Sequence, residues 1–214
     1  MGFSPPPVPL ALADLPRTRA GLVVPAISLR HRDGTAILGM TDHDRVHHAL
    51  SRGLCQTCWR PLDDRIVALA RPRDFVHGWI SEPGMHPVCA HYSTQGCPML
   101  AGVLTRHRAT PRASVREPCG DPECHCVAWA PVDPHGPRAK APAESWYTIW
   151  LAPDSYHVGL DPTTQRLALD LSRARPLKIR PLSATGATRE QADGYRAMLS
   201  TRAFLADLCA ETKP

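Results

Sequence analysis

Two short turns carrying cysteine and histidine set the terms on which this chain can fold. Cys55 and Cys58 stand three apart in "LCQTCWRP", and after 27 intervening residues His86 and Cys89 stand three apart in "GMHPVCAHY". Two thiolates on one tight turn can hold a metal from the same side. Two residues three apart in the first turn of a helix share a face. Pro87 suits that first turn, where its missing N–H would be unpaired anyway. The helix N-terminus also favours Cys89 as a thiolate. Three thiolates and one imidazole make a tetrahedral set suited to zinc. Four protein ligands leave no position for water, which marks a structural metal rather than a catalytic one. The spacing predicts one zinc held by Cys55, Cys58, His86 and Cys89. Cys97, in an all-cysteine set, or His91 could instead take the place of His86.

The order is a cysteine knuckle, a hairpin, then a helix bringing the second ligand pair, which is the logic of a treble-clef zinc site. The predicted fold class follows: a small mixed α+β domain around that site, with short antiparallel strands and a C-terminal helix.

The chain has eight cysteines. "VPLALADLP" is interrupted by prolines and follows no basic segment, so it does not read as a secretory leader. No stretch approaches the ~18–20 apolar residues that span a bilayer. A cytoplasmic protein without membrane contact is expected, and in a reducing cytosol clustered cysteines bind metal more often than they form disulfides. Cys119, Cys124 and Cys126 fall within eight residues of a turn-rich loop and need a fourth ligand. Cys97 is the first candidate, with His107 and His125 as others. Along an unbroken helix Cys97 lies about 12 Å beyond Cys89 at ~1.5 Å per residue, too far for the same ion unless Gly96 breaks the helix. A second zinc held by Cys97, Cys119, Cys124 and Cys126 is the reading, and an iron–sulfur cluster on the same thiolates is its competitor. Cys209, near the apolar face of the last helix, reads as a core thiol.

The segment "CQTC…PGMHPVCAHYSTQGCPML" resembles a group of uncharacterised proteins from actinobacteria and their phages. Their shared pattern is C-x2-C followed by P-x-M-H-x2-C-A-x-Y-x4-C-P. Cys55, Cys58, Pro83, Met85, His86, Cys89, Ala90, Tyr92, Cys97 and Pro98 occupy the matching positions. Gly84 stands where that group often has proline. The resemblance supports a metal at these positions and implies no activity. The stretch also looks locally like HNH nucleases, which use a treble clef. Here, however, no Asp-His pair follows the knuckle, and the chain contains no asparagine. His77 would be the lone candidate base.

Elsewhere, 23 prolines and 14 glycines favour short elements and many turns. Residues 1–24 read as an irregular lead-in, 25–130 as the metal-binding domain, 131–144 as a linker. Residues 145–214 read as strands plus a helix that either form a subdomain or complete the first. Asp33-Gly34 predicts a hairpin within 25–40, and a capped helix over about 42–52 ends at Gly53. Strands are expected near 65–71, 75–81, 145–152 and 166–173, with "KIRPL" adding another. Helices are expected over 86–108 and 188–209, the latter with Tyr195, Met198, Leu199, Leu205 and Leu208 near one face.

His43 with His47, and Asp44 with His48, stand four apart on a helix; histidines so paired can bind a transition metal, but the leading reading is a solvated, charged helix face. In "SWYTIWLA", Trp146 and Trp150 share one strand face. Formal charge is +5 with histidines neutral, which permits nucleic-acid contact without requiring it. "LSRARPLKIRPL" (171–182) reads as a strand pair with a solvated face. The leading function is an interaction or regulatory module for protein or nucleic acid, built on structural zinc. The alternatives are a metal-dependent hydrolase or nuclease using His77, His91 or the 43–48 histidines, and an iron–sulfur redox or sensor protein.

Overall fold

The computed structural model describes residues 4–107, 119–129 and 140–211. Local chemistry sets most element boundaries. The Asp33-Gly34 turn joins β1 (Ser28–Arg30) to β2 (Ala36–Thr41) in an antiparallel pair. Gly34 takes φ +87° there. The Asp42 carboxylate accepts the N–H groups of Asp44 and Arg45 and starts α1 (His43–Arg52). Gly53, at φ +61°, closes it in the left-handed conformation that a side chain disfavours.

β3 (Ile66–Ala70) is buried along its whole length. Its run "IVALA" is continuous rather than alternating because both of its faces meet a core. The strand expected near 75–81 is instead a short helix, α2 (Pro72–His77), followed by β4 (Trp79–Ile80). Pro72 at the first helical position and Asp74, which accepts the Arg71 N–H at 2.8 Å, turn the chain into a helix. The helix expected over 86–108 is α3 (Pro87–Gly96) and stops there. Cys97 precedes Pro98, and the proline ring forces it to an extended φ −85°, ψ 117°.

The rest comprises β5 (Tyr147–Leu151), β6 (His157–Leu160), β7 (Leu167–Asp170), β8 (Lys178–Pro181) and α4 (Arg189–Glu211). β6 was not anticipated; "GLDPTTQ" begins inside it and turns the chain into β7. The 171–182 segment holds one strand, not two. The larger sheets run β3-β5-β8 and β4-β7-β6, and all pairs are antiparallel. Strands from 66–80 thus pair with strands from 147–181 in both sheets. Of the 131–144 linker, residues 131–139 lie outside the described residues. The remainder runs beside 105–107, with the His107 N–H donating to the Ala141 carbonyl at 2.9 Å.

Alternation on β5 divides two cores. Tyr147, Ile149 and Leu151 face Phe75, Ile80, Leu169, Leu171 and Leu199. There the Phe75 and Tyr195 rings stack at 4.0 Å, and Tyr147 meets both edge-on. On the opposite side, Val67 and Leu69 of β3 pack with Leu12, Val23, Met85, Tyr92, Cys55 and Cys89, with Trp146 and Trp150 at the margin. The lead-in therefore contributes Leu12 and Val23 to a core. On α4, Tyr195, Met198 and Leu199 face the first core, whereas Leu205 and Leu208 are exposed. Leu205 is six residues past Leu199, about 120° round the helix, and faces away from the core. Cys209 is likewise exposed, which corrects its reading as a core thiol. No helix among the described residues is long and apolar enough to cross a membrane.

Candidate metal centres

The knuckle around Cys55 is built by its backbone. The Cys55 N–H donates to the Arg60 carbonyl at 2.8 Å, the Trp59 N–H returns to the Cys55 carbonyl at 3.0 Å, and Leu54 bridges Pro61. Trp59 takes φ +63°, a left-handed conformation uncommon for a bulky side chain. Its ring is clamped against α1, stacked on His48 at 5.6 Å and lying under Arg45 at 5.7 Å.

The other ligand pair arrives by docking. Met85 exchanges two backbone hydrogen bonds with Val67 of β3, at 2.8 and 2.9 Å, and the Gln56 N–H reaches the Gly84 carbonyl at 3.1 Å. Gly84 is needed for this approach, because a Cβ there would lie 2.5 Å from Cγ2 of Ile66. Its N–H also donates to the Tyr156 hydroxyl at 2.9 Å. A proline at position 84 could do neither.

These supports bring one ligand atom each from Cys55, Cys58, His86 and Cys89 within 4.8 Å of one another. Nδ1 of His86 lies 3.3 Å from Sγ of Cys58 and 3.9 Å from Sγ of Cys89. Nε2 lies 2.8 Å from the Pro61 carbonyl, which can only accept, so Nε2 carries the proton and Nδ1 presents its lone pair inward. The Cys55 thiol pushes Cys58 well above the usual thiol range, with burial adding to the effect. On Cys55 itself, contact with Cys58 lowers the pKa, but Cys89 and burial outweigh it and the thiol is raised. Sulfurs this close resist sharing negative charge without a cation between them. The donor set, three sulfurs and one oriented imidazole nitrogen, could hold a metal ion.

A second group forms around Cys119, Cys124 and Cys126, and its fourth member is His31. All four ligand atoms again lie within 4.8 Å. Sγ of Cys124 is 3.7 Å from Nδ1 of His31, the sulfurs of Cys119 and Cys126 are 3.6 Å apart, and the Cys119 N–H points at Sγ of Cys126. His31 is buried at the end of β1, tilted against Trp129 with ring centroids 4.7 Å apart. Arg32 ties the hairpin to the loop through Asp121 and Glu123. The Arg32 backbone N–H and then the His31 ring pull the Cys124 thiol down to about 6. For Cys119, hydrogen bonding to the Asp121 N–H lowers the pKa, but desolvation and the neighbouring sulfurs of Cys124 and Cys126 leave it raised. A cavity of about 800 Å³ opens beside this group, with Arg30, Asp42, Glu123 and Trp129 in its lining.

Cys97 belongs to neither group. Held extended ahead of Pro98, it is half-buried against the second core instead. His107 pairs with Glu144 at 2.9 Å, and His125 lines the cavity. Only the hairpin turn marked His31 in the sequence, and nothing there linked it to cysteines some ninety positions on.

None of the remaining candidates is a member of either group. His77 Nε2 meets Asp161 at 3.1 Å. Burial alone would raise the Asp161 carboxyl, but the Thr163 N–H, His77 and Thr164 hold it down to about 2. His91 is exposed beside Gln95, and His43 faces Arg166. Comparison with protein-family models, with curated proteins and with solved structures gives no match to this chain.

Proposed function

We propose that this chain is a zinc-stapled interaction module in which the metal has a structural role and the folded surface engages a protein or nucleic-acid partner. One observation carries the reading: each of two groups converges three sulfurs and one imidazole nitrogen within 4.8 Å. Four protein donors fill a tetrahedral zinc and leave no site for an activated water. The hydrolase alternative needs such an open site with a base beside it, and His77 is occupied with Asp161 away from both groups. Elemental analysis of anaerobically purified protein tests the proposal. Two zinc ions per chain and a colourless solution are expected. A brown protein with iron and visible charge-transfer bands would replace zinc with an iron–sulfur centre.

A further inference from the structure

Sheet β3-β5-β8 ends at β8, and beside that edge strand lies a groove of about 580 Å³. One wall is Lys178, Ile179, Arg180 and Pro181; the other is the first turns of α4, with Arg189, Asp193 and Arg196. Lys178 and Arg180 are two apart on the strand, about 6.6 Å at ~3.3 Å per residue. Arg189 and Arg196 are seven apart on the helix, about 10.5 Å along the same face. Lys178 and Arg180 stand on the Trp150 face of the edge strand, and Arg189 and Arg196 on the first turns of α4, so four positive charges flank the groove from its two sides, and Asp193 is the single acid in the lining.

None of these four cations makes an ion pair among the described residues. Arg32, Arg71 and Arg175, by contrast, all meet carboxylates. Lys178 is held over the Trp150 ring, 3.8 Å from its centroid, which positions the ammonium without neutralising it. Gathering unpaired cations around one groove opposes folding by self-repulsion and attracts an anion.

We infer that this groove binds the phosphodiester backbone of a nucleic acid, single-stranded in its simplest form. The inference deepens the interaction-module reading and rests on it. Three of the four cations are arginines, whose planar fork matches phosphate oxygens. A protein partner would need an apolar pocket for an anchoring side chain. The groove's apolar members are Ile179, which is buried, and Pro181, so no such pocket is offered. What remains is sequence-independent backbone contact, the kind that salt weakens.

The test is fluorescence anisotropy with labelled single-stranded DNA and RNA of mixed sequence, titrated at several salt concentrations. Binding should weaken with salt with a log–log slope near −3, about −0.7 for each of four phosphates neutralised. The double variant Arg180→Glu/Arg196→Glu should weaken binding at least tenfold. The matched variant Arg52→Glu/Arg65→Glu, at exposed positions elsewhere, should bind nearly as well as the parent. Circular dichroism checks that both variants remain folded. Absence of binding overturns the inference, as does equal loss in the two variants. Tighter binding of a polyglutamate peptide, lost in the same groove variant, would assign the groove to an acidic protein. Zinc is measured on every sample. A metal-loaded chain that ignores nucleic acid rejects the groove and keeps the module, whereas a metal-free chain that binds rejects the staple and keeps the groove.

Discussion

The two cysteine–histidine groups share a donor set and differ in everything around it. Cys55 and Cys89 are fully buried, and their group lies within the core that covers one face of β3. All four of its residues come from positions 55–89, each fixed by backbone bonds of the knuckle, the Met85 bridge or α3. The second group reaches from His31 to Cys126, and Cys119 is exposed. It joins a loop to a hairpin turn, and none of its residues belongs to either large core. On the zinc reading, the same chemistry would organise a core in one place and tether a surface segment in the other.

That contrast can be broken at its strongest point by Cys55→Ser. Structural zinc carries an apparent ~10–16 kcal/mol in small metal-dependent folds, as much as the ~5–15 kcal/mol that stabilises a whole domain. The variant should lose cooperative thermal unfolding and near-ultraviolet ellipticity. A cooperative, fully metallated Cys55→Ser protein would dissolve the distinction. Cys124→Ser should instead lose one metal per chain yet still unfold cooperatively. Its cost should be about 4.7 kcal/mol, the loop-closure scale known for disulfides that cross-link loops of nearly a hundred residues. If calorimetry shows collapse on the scale of Cys55→Ser, the second group is also part of the core.

Gly84→Ala sharpens the comparison from within the first group. Its new Cβ would crowd Ile66, and the expected loss is about 1–3 kcal/mol by chemical denaturation, with both metals retained. An unchanged midpoint would show that the docking of Met85 on β3 tolerates a wider gap. The smallest effect belongs to Arg32→Ala. Its exposed ion pairs should contribute under about 1 kcal/mol to global stability. The second metal should nevertheless pass to a colorimetric chelator faster than in the parent, while the first exchanges at the parent rate.

The legible parts of the sequence were those with local chemistry. Asp42 and Gly53 bracket α1, Asp33-Gly34 turns the hairpin, and the close pairs at 55–58 and 86–89 fall into one group. Segments governed by distant neighbours were harder to read. Phe75 is apolar enough for a strand, yet Pro72 and Asp74 outweigh that over a helix too short to show periodicity. β6 is half-exposed and lacks a clean alternation, so its turn residues dominated. His31 joins the cysteines only through folding of the hairpin against the 119–129 loop, which leaves no spacing signal. The groove escaped for the same reason: Trp150 has no basic neighbours on its own strand, and Lys178 comes to it from β8 through pairing.

The pairing of β3 with β5 and of β4 with β7 joins segments some eighty to ninety residues apart, whereas the first metal group closes within thirty-five positions. Loop-closure entropy falls on the sheets far more heavily than on that group. Assembly therefore has an order: the 55–89 segment can gather its ligands before β5, β7 and β8 have been synthesised. Until they arrive, Ile66, Ala68 and Ala70 have no sheet partner to cover them. A metal ion bound there early would hold that unfinished edge in register for the strands still to come.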